Sequence, residues 1–119
     1  LKKIKITLDG KVLTANLEDN QTTAALIEKM PRQLDMMNLY ARELTYRFSQ
    51  ALPVNEAHTA GYAVGDIAYW TPRHSFVIFY KQTGEVISNL QRVGHINDSE
   101  ILSQLHMGSH VQLTLESID

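Results

Sequence analysis

The sequence predicts a mainly β domain with two short helices, its strands folded into a sandwich or closed into a barrel. Three observations lead there. Seven or eight short runs alternate apolar and polar residues or are dense in aromatic and β-branched ones, the patterns of strands. Helical spacing occurs in only two places, after the first hairpin and before the last strand. And 119 residues, 44% of them hydrophobic, make one ordinary core, so that many strands must hide their edges from one another.

The elements follow in order. Ile4, Ile6 and Leu8 alternate, then Leu13, Ala15 and Leu17. Asp9-Gly10 between them takes the positive φ angles of a two-residue turn, which makes a β-hairpin. Asn20 is placed to cap a helix carrying Leu26, Ile27 and Met30, and Pro31 ends it because it lacks an N–H and disfavours helix in the residue before it. Residues 33–42 keep no strict period; Met36, Met37 and Leu39 fit a buried connection or a short strand. Leu44, Tyr46 and Phe48 alternate with Thr45 and Arg47 as a strand closed by Pro53. Residues 54–62 are polar and small and read as a surface loop.

Two strands follow, 66–70 and 76–80, dense enough in apolar residues to be central. TPRH separates them, with the single tryptophan, Trp70, at its edge. Residues 82–90 read as a turn and a short edge segment. Gln91 to Ile96 form a further strand in which Gly94 marks a bulge or a close approach of another backbone. Asn97 and Glu100 have capping-box spacing before a second helix with Ile101, Leu102 and Leu105 on its apolar face, and Gly108 supplies a left-handed stop. Val111, Leu113 and Leu115 make the last strand. There is no repeat, low-complexity tract or linker, so residues 1–119 are one domain.

Composition excludes several function classes. The net charge is -2, from 11 basic and 13 acidic side chains scattered along the chain. No basic block stands ready to neutralise a row of phosphates, so no nucleic-acid partner is expected. No apolar run approaches the roughly 20 residues that span a bilayer, so a soluble protein is expected. The absence of cysteine removes disulfides, thiolate metal sites and a cysteine nucleophile and leaves the compartment, cytoplasmic or exported, open. The chain begins at Leu1 rather than Met, which suggests a segment upstream.

The order of motifs resembles that of the small bacterial and archaeal cyclophilin-like domains. The likeness runs from the opening hairpin into DNQTTAALIEKMP, through ELTYRFSQALP and VGDIAYWTPRHSFVIFY, to RVGHI with its helix and last strand. GDIAYW followed by Pro72 and the apolar FY strand is its most specific part. The resemblance implies a closed eight-stranded antiparallel barrel capped by two helices. A prolyl isomerase of the cyclophilin type uses an arginine on a strand bearing a phenylalanine-histidine-arginine run to hydrogen-bond the proline amide nitrogen. That bond weakens the C–N double-bond character behind the ~18–20 kcal/mol rotation barrier. Here the comparable strand reads Tyr46-Arg47-Phe48, and a glutamine-phenylalanine-phenylalanine run is replaced by Phe76-Val77-Ile78-Phe79-Tyr80, without its polar member.

The expectation is therefore a module that binds a small molecule or peptide without robust catalysis. The alternatives are a prolyl isomerase with Arg47 as its catalytic residue, and a structural domain that forms a homodimer through an edge near residues 82–90. Trp70, Arg73 and His74 are the candidate ligand-binding residues, a stacking surface with two donors; core packing of Trp70 and a polar turn at Arg73 and His74 explain the same letters. Arg47 is equally a solvated strand arginine. Among His58, His74, His95, His106 and His110, only His106 and His110 are four apart, and Gly108 interrupts them, so neither metal nor cofactor is expected. Asp98 and Glu100 suit a helix cap and Asp66 a strand start. No GxSxG elbow or phosphate loop occurs, and no Ser-His-Asp set can be singled out. Tyr40, Tyr46, Tyr62, Tyr69 and Tyr80 suit a ring at a barrel mouth as well as ordinary strand positions.

Overall fold

In the computed structural model, residues 2–118 are described; Leu1 lies outside them. Nine strands form one antiparallel sheet: β1 (Lys2–Leu8), β2 (Lys11–Leu17), β3 (Arg32–Leu39), β4 (Glu43–Arg47), β5 (His58–Ala60), β6 (Asp66–Trp70), β7 (Ser75–Phe79), β8 (Ile87–Ile96) and β9 (His110–Ser117). Their order is β2-β1-β9-β3-β4-β7-β6-β8-β5, and β2 also pairs with β8. That last pairing closes eight strands into a barrel and leaves β5 outside, attached only to β8.

The period-2 pattern sets what fills the barrel. Ile4, Ile6, Leu8, Leu13, Ala15, Leu17, Leu113 and Leu115 are all buried in one cluster with Leu34, Met36, Leu44, Ile67, Tyr69, Phe76 and Ile78. The helix α1 (Gln21–Glu28) is capped by Asn20, whose side chain accepts from the backbone N–H of Thr23 at 2.9 Å. Leu26 from α1 and Leu102 from a 3₁₀ helix (Ser99–Gln104) join the same core, one leucine from each cap. Asp9 and Gly10 both have positive φ, 49° and 75°, as the hairpin turn requires. No helix among the described residues is long and apolar enough to cross a membrane.

Gly94 fulfils both of its expected roles. Residue 94 pairs with Leu17 across the β2–β8 seam and with Ile67 on the other side, and the register against β6 shifts at the next step. A Cβ there would collide with Asn16 O and stand 2.7 Å from Leu17 Cδ2.

Several expectations are corrected. Of the two readings open for residues 33–42 the strand is the one formed, over residues 32–39, in which Leu34 and Met36 point into the core while Met37, Asn38 and Leu39 are half-exposed, which erases the alternation. Residues 58–60 within the expected loop form β5. The expected edge segment is the first half of the long strand β8, with Leu90 paired to both His58 and Trp70. That segment is therefore not a free edge. The second helix is 3₁₀, with Asp98 at its N-cap and no side-chain capping bond; Asn97 instead bonds Thr14 Oγ1 at 3.0 Å. The helix ends at Gln104 with Leu105 extended, and Gly108 does not have positive φ.

Candidate functional site

Strands β6 and β7 are apolar apart from their first residues, Asp66 and Ser75, because both of their faces are covered. Ile67, Tyr69, Phe76 and Ile78 face the barrel interior. Ala68, Val77 and Phe79 face outward into a second cluster with Tyr62, Leu90, Trp70 and Ile87. The cover comes from the chain before β6 and from residues 80–87. Tyr62 stacks on Phe79 with ring centroids 4.0 Å apart, and its hydroxyl is bonded to Lys81 O and to Thr83 N–H, each at 3.0 Å. Gly84, at φ 79°, turns the strap back toward β8.

Where this strap stands off the barrel wall it leaves an open groove of about 420 Å³. Strand register builds its floor in rows. Arg47 lies opposite Ser75, Ser75 opposite Trp70, and Trp70 opposite Leu90. Thr45, Val77 and Ala68 form the next row, and Glu43 with Phe79 the third. Glu85, Val86 and Ile87 make the opposite lip, and Tyr40 closes one end.

One end of the groove is fully hydrogen-bonded, one arginine against two glutamates. Arg42 Nε donates to Glu43 Oε1 at 2.8 Å, Arg42 Nη1 pairs with Glu85 Oε2 at 3.0 Å, and Thr45 Oγ1 donates to Glu43 Oε2 at 2.6 Å. The Arg42 guanidinium also sits 4.9 Å from the Tyr40 ring centroid. Burial by itself would lower the Arg42 pKa, but bonds and charge from Glu43 and Glu85 outweigh it and hold the pKa above the usual arginine value. Hydrogen bonds from Thr83 and then Arg42 hold the Glu85 carboxyl below the usual carboxylate range. These groups tie the strap to β4.

The other end is not complete. Arg47 lines the groove, yet it takes part in no ion pair or hydrogen bond among the described residues, and its Nε is buried without an acceptor. Trp70, half-buried beside it, donates its indole N–H to Ser88 O at 3.0 Å, at the start of β8 where the strap ends. Arg73 and His74 lie on the 3₁₀ turn Thr71–Arg73 and its left-handed exit (His74 φ 50°), and neither lines the groove. Of the four sequence candidates, the fold brings together Arg47 and Trp70.

The remaining candidates serve the fold. Asp66 is buried and accepts from Ala63 N–H and from His95 Nδ1, both at 2.8 Å. Ser99 lies close to the same imidazole, since a Cβ on Gly65 would meet both residues. No hydrogen bond joins its hydroxyl to His95, so no Ser-His-Asp relay is assembled. His106 and His110 line a shallow hollow together, but no group of three or more His, Asp or Glu that could hold a metal occurs among the described residues. The tyrosines form no ring: Tyr69 is inside the barrel, where its hydroxyl accepts from Leu52 N–H at 2.9 Å, while Tyr62 is under the strap and Tyr40 is at the groove.

An eight-stranded closed barrel with a strapped groove on its outer wall defines the class of this protein. The cyclophilin-like family matches residues 6–116, and the chain belongs to that family. A hypothetical protein of Archaeoglobus fulgidus, solved in solution, has the same fold, with a TM-score of 0.75 at 16% identity over 98% of this chain and 95% of that one. No curated protein matches the chain.

Proposed function

We propose that this domain is a binding module that takes a small ligand or short peptide segment in the groove between β4, β7 and the strap, with Arg47 and Trp70 as its principal contacts. The observation that carries this reading is the Arg47 guanidinium, half-buried and unpartnered beside an apolar floor of Val77, Trp70 and Leu90. The Nη groups, which have no acceptor among the described residues and are not fully buried, are the donors a ligand oxygen in the groove can reach, and a hydrogen bond to a charged group is worth about 1.5–3 kcal/mol. Apolar walls with a few convergent polar groups are the usual make-up of a ligand site. Among the described residues, two of the four large hydrophobic side chains that stand exposed, Tyr40 at 68% and Val86 at 66%, are at this groove.

The same free arginine favours a second reading, prolyl isomerisation, for which Arg47 would donate to the proline amide nitrogen. Val77 and Phe79 are apolar, and the one polar side chain of β7 in the groove, Ser75, donates its hydroxyl to Arg73 O. One experiment addresses both. A capped proline-containing tetrapeptide titrated into the full chain should shift the Trp70 indole resonance, and Arg47→Ala should weaken that binding at least fivefold. Unchanged binding in the variant sinks the reading. An Arg47-dependent isomerisation rate above background with the same peptide would replace the binding module by the enzyme.

A further inference from the structure

We infer that the occupant of the groove is a small monocarboxylic acid with a ring-sized or branched apolar body, its carboxylate on Arg47. This deepens the binding reading above and rests on it. The charges inside the groove are Arg42, Glu43, Glu85 and Arg47. Three of them satisfy one another: Glu43 is bonded by Arg42 and Thr45, and Glu85 by Arg42 and Thr83. Arg47 is left as a cation without an ion-pair partner among the described residues, the surplus negative charge lying at the far end of the groove, and its Nε faces away from solvent. A neutral carbonyl would satisfy one N–H. A carboxylate would satisfy both Nη groups of the guanidinium and its charge together, which is why arginine is the usual partner of that group.

Size and polarity restrict the rest of the ligand. Glu43 and Arg47 stand four residues apart on β4, so the closed polar end and the open cationic end are roughly 13 Å apart along the strand. Between them the floor is Val77, flanked by Trp70 and Leu90. The volume of about 420 Å³ falls within the usual small-molecule range of ~300–1,000 Å³. A carboxylate with one ring or one branched chain fits within that span beside Val77; a chain longer than the span would have to cross the Arg42–Glu43–Glu85 network, whose donors and acceptors are already used.

The test compares phenylacetate with phenylacetamide, two probes of one shape that differ in charge, by NMR titration of the full chain. Phenylacetate should shift the Arg47 Nε–H and Trp70 Nε1–H resonances and bind at least roughly tenfold more tightly than the amide, the step expected for a charge-assisted over a neutral bond. Arg47→Gln should abolish that difference; Arg47→Lys, which keeps the charge but not the fork, should retain part of it and serves should the glutamine variant fail to fold. Equal binding of acid and amide overturns the carboxylate inference while leaving the binding module standing, as does binding of the capped tetrapeptide without binding of phenylacetate. A peptide ending in a phenylalanine carboxylate that binds tenfold more tightly than phenylacetate overturns the small acid in favour of a chain terminus. If neither probe nor the capped peptide binds, both readings fail.

Discussion

Gly94→Ala should break the barrel at the seam where it closes. The β2–β8 pairing is only three residues long, Ala15 with Ile96, Asn16 with His95 and Leu17 with Gly94. A methyl at position 94 would overlap Asn16 O and lie 2.7 Å from Leu17 Cδ2 and 3.0 Å from Leu17 Cα, where carbon pairs prefer about 3.5–4.0 Å. Two of the three obstacles are backbone, so a rotamer change cannot relieve them and the strands must part. Overpacking of this kind costs about 1–3 kcal/mol. Losing one ladder bond, among them Glu18 N–H to Val93 O at 2.8 Å, adds about 0.5–1.5 kcal/mol. Restricting the unfolded chain by replacing glycine returns at most about 1 kcal/mol. The net loss is roughly 1–4 kcal/mol, a substantial part of the ~5–15 kcal/mol that holds an ordinary domain. Urea unfolding should show a lower midpoint at unchanged slope, and hydrogen exchange should quicken first at residues 15–18 and 93–96. A variant as stable as the parent, with that seam still protected, would refute a closed barrel of this register.

Three other outcomes follow from the same contacts. Asp66→Ala removes a buried carboxylate that accepts from the Ala63 N–H and the His95 ring and should cost about 1–3 kcal/mol in urea unfolding, the order of hydrogen bonds to a charged group; a change below about 0.5 kcal/mol would remove Asp66 from its clamping role. Glu85 has a lower pKa folded than unfolded, through Thr83 and Arg42, so its contribution is complete above the unfolded value and disappears as pH falls through the folded one; Glu85→Gln should remove that acid-side loss from the pH dependence of strap protection, and an identical profile in both proteins would contradict the tie. Gly108→Ala should be neutral or stabilising by up to about 1 kcal/mol, because the residue has open space and no positive φ; destabilisation would show that it ends a helix after all.

The parts of the fold legible in the sequence are those in which one residue settles the local geometry. Asp9-Gly10 specifies its turn by positive φ, Asn20 caps α1 with its own oxygen, and Gly94 admits a neighbouring backbone. Strand β3 was harder to read because only Leu34 and Met36 are buried while the methionine and leucine after them are half-exposed. The capping-box spacing at Asn97 and Glu100 misled because Asn97 is taken by Thr14, far away in the chain. The site was legible only in pieces. Arg47 and Trp70 stand 23 positions apart, and what joins them is the β4–β7–β6 register through Ser75. TPRH, which places Arg73 and His74 next to the tryptophan in sequence, turns them off the groove. The strap is invisible to periodicity because Thr83, Gly84 and Glu85 are polar and bind through hydrogen bonds to Tyr62 and Arg42.

The central claim, that ligands enter the groove on the outer wall and not another face, is tested most directly by intermolecular nuclear Overhauser contacts from bound phenylacetate. Contacts are expected from its ring to the Val77 methyls, the Trp70 indole and Leu90, with none to the hollow at His106 and His110. Contacts to that hollow, or to the polar surface around Glu18 and His58, would contradict it.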